Sequence, residues 1–154
     1  MKNFDSVIST IRDVKFGSGV KIIEPSNLYE CEIGNNSFIG PFVEIQKGAK
    51  IGSHTKVQSH TFICELVSIG NHCFIGHGVV FINDTFVDGK PANGNKKMWK
   101  KTTIYNNVSI GSNSSILPVS IAEGTVIGAG SVVTKDIHIK GKYAGNPAKL
   151  IERL

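Results

Sequence analysis

A period of six residues constrains this chain more than anything else in it. Ile33, Ile39, Ile45, Ile51, Val57, Ile63, Ile69, Ile75 and Phe81 stand at strict intervals of six. Glycine follows the anchor at 34, 40, 52, 70 and 76. Four residues after successive anchors come Ser37, Val43, Ala49, Thr55, Thr61, Val67, Cys73 and Val79, all small or β-branched. The register resumes at Ile104, Ile110 and Ile116, loses one residue, and resumes again at Ile121, Ile127, Val133 and Ile139, with Val14 and Val20 as earlier members. Side chains alternate faces along an extended strand, so an anchor and the residue four on both point inward when a tight turn lies between them. Glycine after the anchor answers a need at the corner for either positive φ or close backbone approach. Three hexads close a triangular coil, and coils stacked at about 4.8 Å make about six turns of a prism roughly 29 Å tall.

Composition agrees with a β solenoid. The chain holds 20 Ile and 14 Val against 5 Leu and 6 Ala, which excludes a helical bundle because β-branched residues suit strands and the others suit helices. Its 154 residues predict one domain, 1–154, able to bury a core without disulfides. Cys31, Cys64 and Cys73 form no CxxC pair, as expected of reduced thiols in a cytoplasmic protein. No apolar run approaches the ~18 residues of a membrane span, and MKNFDSVIST lacks the basic-then-apolar pattern of a secretory signal. The net charge of +5 is concentrated: residues 82–103 carry five Lys and two Asp, and 133–154 carry four Lys, one Arg, one Asp and one Glu. Two compact basic segments suit a small polyanion such as a phosphorylated cofactor, whereas nucleic acid calls for a basic stripe interleaved with aromatics.

Residues 82–103 (INDTFVDGKPANGNKKMWKKTT) carry no period. A loop of that length inside a compact repeat predicts function. Trp99, the one Trp, is flanked by Lys96, Lys97, Lys100 and Lys101. It is expected to pack on a neighbouring subunit, or its lysines to meet phosphates.

The six-residue pattern over residues 14–147 resembles the hexapeptide-repeat family. The resemblance implies an all-β fold, a left-handed parallel β-helix, whose hand runs against the usual crossover rule. It further implies a homotrimer and an acyltransferase using acetyl-CoA. The tail GKYAGNPAKLIERL (141–154) is similar to the family's closing segment, a Gly-Asn-Pro-Ala-Lys run near the adenosine end of coenzyme A followed by a short C-terminal helix. The run IGAGSVVTKD (127–136) is similar to one whose backbone contacts the pantetheine arm. On this basis Ala129, Lys135, Asn146, Pro147 and Lys149 are expected to bind the cofactor, with the lysines opposing its phosphates. The run Ile116–Ile121 lacks one residue of the usual Leu-Pro-Gly-Val order.

PFVEIQKGAKIGSHTKVQSHTFICE (41–65) and FIGHGVVFINDTF (74–86) resemble acetyltransferases of nucleotide-linked amino sugars. They are similar in particular to 3-N-acetyltransferases of 3-amino-3,6-dideoxyhexoses on dTDP, and to relatives acting on UDP-linked 2,3-diamino sugars. Related 4-N-acetyltransferases carry an N-terminal βαβ domain, for which there is no room before Val14. The implied reaction is direct attack of a sugar amine, at C3, on acetyl-CoA in a ternary complex, feeding surface polysaccharide synthesis.

Positions 18 apart stack on one corner, so Lys47, Glu65 and Asn83 form one column, and Ser59 and His77 another. His77 and Asn83 fall at successive corners, separated by about 20 Å of extended chain. In a trimer, His77 of one chain would meet Asn83 of the next. Attack requires a deprotonated amine, so His77 is the candidate general base. Asn83 would orient the amine, and Asp84 would receive or position its proton. The backbone N–H of Gly78 or of Gly111 is the expected oxyanion donor. Glu44, Gln46, His60 and Glu65 are candidate substrate-binding residues. His54 and His72 stack at a turn position and are expected to be solvated or at a trimer contact. Three other readings fit the sequence less well. An O-acetyltransferase usually carries a histidine in its loop, and this loop has none. A zinc carbonic anhydrase of the same fold needs a third histidine where this chain has Asn36, so no metal is expected. A non-catalytic solenoid module leaves the cofactor-like tail without a purpose.

Overall fold

The computed structural model describes residues 10–154; the first nine, on which the secretory-signal reading rests, lie outside them. Most strands are two residues long, and in all of these but Ile11–Arg12 the second residue stands at the anchor position. A first sheet of seven strands stacks Ile11–Arg12, Asn27–Tyr29, Glu44–Ile45, Phe62–Ile63, Val80–Phe81, Ser115–Ile116 and Val132–Val133. A second, of six, runs Lys15–Phe16, Glu32–Ile33, Lys50–Ile51, Val67–Ile69, Thr102–Ile104 and Ser120–Ile121. A third, of eight, runs Lys21–Ile22, Phe38–Ile39, Lys56–Val57, Phe74–Ile75, Ser109–Ile110, Val126–Ile127, Gly141–Ala144 and Lys149–Arg153. All pairings but the last are parallel, giving a parallel β-helix of about seven turns. The only helical turn among the described residues is the 3-10 segment Lys96–Met98. No helix is long and apolar enough to cross a membrane among them.

The anchors form the core. Ile39, Ile45, Val57, Ile63, Ile75, Phe81, Ile110, Ile116 and Ile121 are wholly buried. The slot four residues after each anchor is buried as well, and where it holds a hydroxyl the neighbouring coil satisfies it. Ser37 donates to the Gly52 carbonyl at 2.8 Å, Thr55 to that of Gly70 at 2.8 Å, and Thr61 to that of Gly76 at 2.9 Å. Thr125 Oγ1 is the exception, buried without a partner among the described residues, because the following coil departs from the repeat where its acceptor would stand.

Corner geometry assigns the two demands, either of which the glycines were expected to meet, to different positions. Positive φ falls three residues after the anchor, at Asn36, Phe42, His54, His60, Leu66 and His72 among others. The glycine directly after the anchor answers close approach instead. A Cβ on Gly34 would lie 2.6 Å from the Ser53 nitrogen, and one on Gly76 2.6 Å from that of Ser112.

Three expectations are corrected. Ile139 is half exposed and Ile137 takes the last inward position, bridging to Ile121, because the final coil is shorter. Val14 and Val20 are not anchors: Phe16 pairs with Ile33 and Ile22 with Ile39, which leaves the valines in the second inward slot. No helix follows the last coil. Gly145–Ala148 reverse the chain, and Lys149–Arg153 returns as a strand antiparallel to Gly141–Ala144, with Lys142 paired to Glu152 at 2.7 Å. Six remaining residues are too few for a helix to stand without packing, whereas the sheet edge offers hydrogen bonds at once.

Candidate active site

The corner between the third and first sheets carries Ser59, His77, Ser112 and Ala129 in one column, two residues after anchors that stack on one another. Ser59 Oγ lies 2.9 Å from His77 Nδ1, so the hydroxyl fixes one ring nitrogen of an exposed imidazole. In the tautomer whose Nδ1–H donates to the Ser59 hydroxyl, Nε2 is the acceptor; in the other, the hydroxyl donates to Nδ1. The His77 backbone N–H donates to Ser112 Oγ at 3.1 Å. That bond belongs to a ladder seen at another corner, where the Asn35 N–H donates to Ser53 Oγ and those of Ser53 and Asn71 to Asn71 and Asn106 Oδ1. In this column only the His77 rung is made, since the Ser59 N–H also has no hydrogen bond among the described residues, and at Ser112 the ladder stops. The next member is Ala129, which has no acceptor, and the Ser112 N–H makes no hydrogen bond among the described residues.

The expected oxyanion donors are a different case. Gly78 N–H donates to the Ser59 carbonyl at 2.9 Å and Gly111 N–H to that of Ile127 at 2.8 Å. Both are spent within the stack, so neither is free for a ligand.

Asn83 and Glu65 stack at the corner between the first and second sheets, where the loop leaves. Asn83 Nδ2 donates to the Glu65 carbonyl at 3.2 Å. Lys96 Nζ returns to both Glu65 carboxylate oxygens at 2.9 and 2.7 Å, and lies 5.5 Å from the Trp99 ring centre. The loop is thereby clasped to the helix at both ends. Asp84 serves the loop: Oδ1 accepts from Phe86 N–H at 3.0 Å and Oδ2 from Ala92 N–H at 2.8 Å. Below, Lys47 pairs with Glu30, whose carboxyl it holds below the usual range.

His77 thus follows a strand of the third sheet and Asn83 one of the first, and one chain does not bring them to the same corner. Glu44 accepts from Gln46 Nε2 at 2.9 Å on the first sheet's outer face. His60 lies against Phe42, ring centres 4.8 Å apart. His54 and His72 stack face to face on another corner, 4.9 Å apart, both exposed. Ala129, Lys135 and Lys149 are exposed, and Asn146 and Pro147 form the exposed turn before the last strand. Cys73 fills an inward slot as expected, while burial pushes the Cys31 and Cys64 thiols up to about 11 and about 12. No group of three His, Cys, Asp or Glu side chains able to hold a metal occurs among the described residues. The sequence reading did not single out Ser112, whose Oγ accepts from the His77 N–H. Its signal was there, since subtracting the insertion puts Ser112 one coil above His77.

Two family models match the chain: the bacterial transferase hexapeptide over residues 30–65 and the hexapeptide repeat of succinyl-transferase over 101–135. The chain belongs to the hexapeptide-repeat family. It is 39% identical over 109 residues to the bifunctional protein GlmU of Clostridium botulinum, an alignment that takes in 70% of this chain and 21% of that one. It therefore spans about a fifth of that relative's length. Among solved structures it is similar to a hexapeptide transferase family protein from Anaplasma phagocytophilum, with TM-score 0.72, 21% identity, and 92% and 79% of the two chains covered. It is also similar to a mutant of AntD, an N-acyltransferase from Bacillus cereus in complex with dTDP and coenzyme A, with TM-score 0.70, 23% identity, and 95% and 85% covered. At these identities the structural likeness is one of fold.

Proposed function

We propose that this protein is an acetyltransferase that moves acetyl from acetyl-CoA to the amino group, at C3, of a dTDP- or UDP-linked amino-deoxysugar, working as a homotrimer in the cytoplasm. The observation that carries the reading is the pairing of His77, steered through Nδ1 by Ser59, with an unspent backbone N–H one coil away at Ser112. Such a pair meets the two demands of amide formation from a thioester. His77 Nε2 takes the ammonium proton, the amine nitrogen forms its bond to the carbonyl carbon, and the carbon–sulfur bond breaks as the thiol leaves with a proton. The Ser112 N–H meets the charge that builds on the carbonyl oxygen, a part for which Gly78 and Gly111 have no donor left. Asn83 orients the sugar from the neighbouring chain, with Asp84 holding the loop that presents it. Glu44, Gln46, His60 and Glu65 face the acceptor, while Ala129, Lys135, Asn146, Pro147 and Lys149 face coenzyme A. The GlmU likeness and the AntD complex support the reading.

The test is thiol release from acetyl-CoA against a panel of dTDP- and UDP-linked 3-amino, 4-amino and hydroxyl-only sugars. Turnover with a 3-amino sugar alone is expected. Turnover with hydroxyl sugars alone would replace the amine acceptor by an alcohol, and neither turnover nor coenzyme A binding would overturn the reading.

A further inference from the structure

A cleft of about 310 Å³ opens beside the His77 corner, lined by Pro25, Asn27, Phe42 and Glu44 among others. It lies on the line that leads to His77. Phe42, His60 and Gly78 are successive members of one turn position, so two coil steps, about 10 Å, separate the level of Phe42 from that of His77 and Gly78.

Phe42 occupies a costly position. Its φ is 59°, a conformation costly for a bulky side chain, and the equivalent turn elsewhere holds Asn36, Asn107 and Asn113 as well as His54, His60, His72 and Leu66. It is also 57% exposed, with His60 packed against it at 4.8 Å between ring centres, so neither backbone nor core accounts for an aromatic there and part of the ring stays open. Glu44, on the same cleft, spends Oε1 on Gln46, and its Oε2 accepts nothing among the described residues. A flat ring face and one open carboxylate oxygen match a heterocycle with a single ring N–H.

We propose that this cleft seats the pyrimidine base of the nucleoside-diphosphate sugar, with Phe42 stacked on the ring and Glu44 Oε2 accepting its imide N–H. The inference rests on the nucleotide-sugar reading above. His60, between the two levels, then flanks the diphosphate. Thymine and uracil carry N–H at that ring position. Cytosine presents a lone pair there, which a carboxylate repels.

Calorimetric titration of dTDP, UDP and CDP into the wild-type protein and into Phe42→Asn and Glu44→Gln tests it. Asparagine suits the turn, so the first variant removes the ring and keeps the fold. The wild type is expected to bind dTDP and UDP about tenfold tighter than CDP. Phe42→Asn weakens dTDP and UDP about tenfold. Glu44→Gln, whose amide both donates and accepts, narrows the gap between dTDP and CDP. Equal binding of dTDP and CDP, or unchanged dTDP binding in either variant, would overturn the seat. Coenzyme A binding and acetyl turnover, followed on the same preparations, separate the two readings. Turnover of an amino-sugar nucleotide with unchanged dTDP affinity in Phe42→Asn removes the seat alone. Nucleotide binding as expected, with no turnover on any sugar, removes the acetyl-transfer reading alone.

Discussion

Ser59 and His77 stand one coil apart on the same corner, hydroxyl oxygen 2.9 Å from Nδ1, so the ring nitrogen left to act is Nε2. Replacing His77 by Ala is expected to lower kcat/KM with an amino-sugar acceptor about a hundredfold. Ser59→Ala, which frees the ring to rotate, lowers it about tenfold and leaves coenzyme A binding unchanged. Steady-state rates across the neutral pH range check both. A His77→Ala enzyme with wild-type kcat/KM throughout that range removes the general-base role.

Asp84 holds the loop by two backbone N–H groups, Phe86 and Ala92. Asp84→Asn leaves one acceptor oxygen and turns the other position into a donor facing an N–H. The expected result is faster proteolysis within residues 85–95 and a KM for the sugar raised several-fold, with kcat less affected. A large fall in kcat with an intact loop would instead make the carboxylate a participant in proton transfer.

Two glycines should respond in opposite ways. Gly34→Ala drives a methyl onto the Ser53 nitrogen and is expected to cost about 3 kcal/mol, read as a fall in Tm. Gly48 has φ of 73° and nothing near its missing Cβ. Gly48→Ala costs about 1 kcal/mol for backbone conformation alone, and Gly48→Asn less, since asparagine tolerates that region. Equal costs at the two sites would mean that crowding between coils does not select the glycine after the anchor.

The inward hydroxyls give a matched pair. Thr55→Val leaves the Gly70 carbonyl without its donor and is expected to cost about 1 kcal/mol. Thr125→Val removes a buried oxygen that has no partner among the described residues and is expected to be neutral or stabilising. Denaturant midpoints of the two variants decide it. A loss at Thr125 as large as at Thr55 would show that the Thr125 hydroxyl is satisfied in solution.

Burial raises Cys31 to about 11 and Cys64 to about 12, from an ordinary value of 9.0. The folded thiols therefore stay neutral where the unfolded ones ionise. Their stabilising contribution is complete below pH 9 and is lost as pH climbs towards 11–12, by about 1.4 kcal/mol per pH unit for each thiol at most. Thermal melts at increasing pH should show a shallower decline in Cys64→Ala than in the wild type. Identical slopes would place the thiol in contact with water.

The core was legible because a strand admits only two inward positions per hexad, and an unbroken run from Ile33 to Phe81 fills both. The ends were harder. At Val14 and Val20 a single aliphatic residue satisfies either inward slot, and only the pairing of Phe16 with Ile33 tells which. Ile137 and Ile139 stand two apart, and the short last coil chooses between them. The antiparallel return of Lys149–Arg153 depends on a sheet edge that no local pattern reveals. At the site, the 18-residue spacing placed Ser59 beneath His77 and Glu65 beneath Asn83. It said nothing of which backbone donors were already spent. Gly78 and Gly111 stand at turns near the expected site, yet their N–H groups are spent on neighbouring coils, while the Ser112 N–H is open because Ala129 above it has no acceptor.

Thr102 pairs with Val67 as though nothing lay between Phe81 and the following strand, although the two partners are 35 positions apart. The excursion enters and leaves through one corner, and the coils on either side keep their pairing. The protein therefore has a port where its exposed chemistry is uncoupled from its stability. A segment of different length or charge, grafted between Ile82 and Lys101, would meet the same rigid frame, so acceptor preference can diverge without the fold having to be found again.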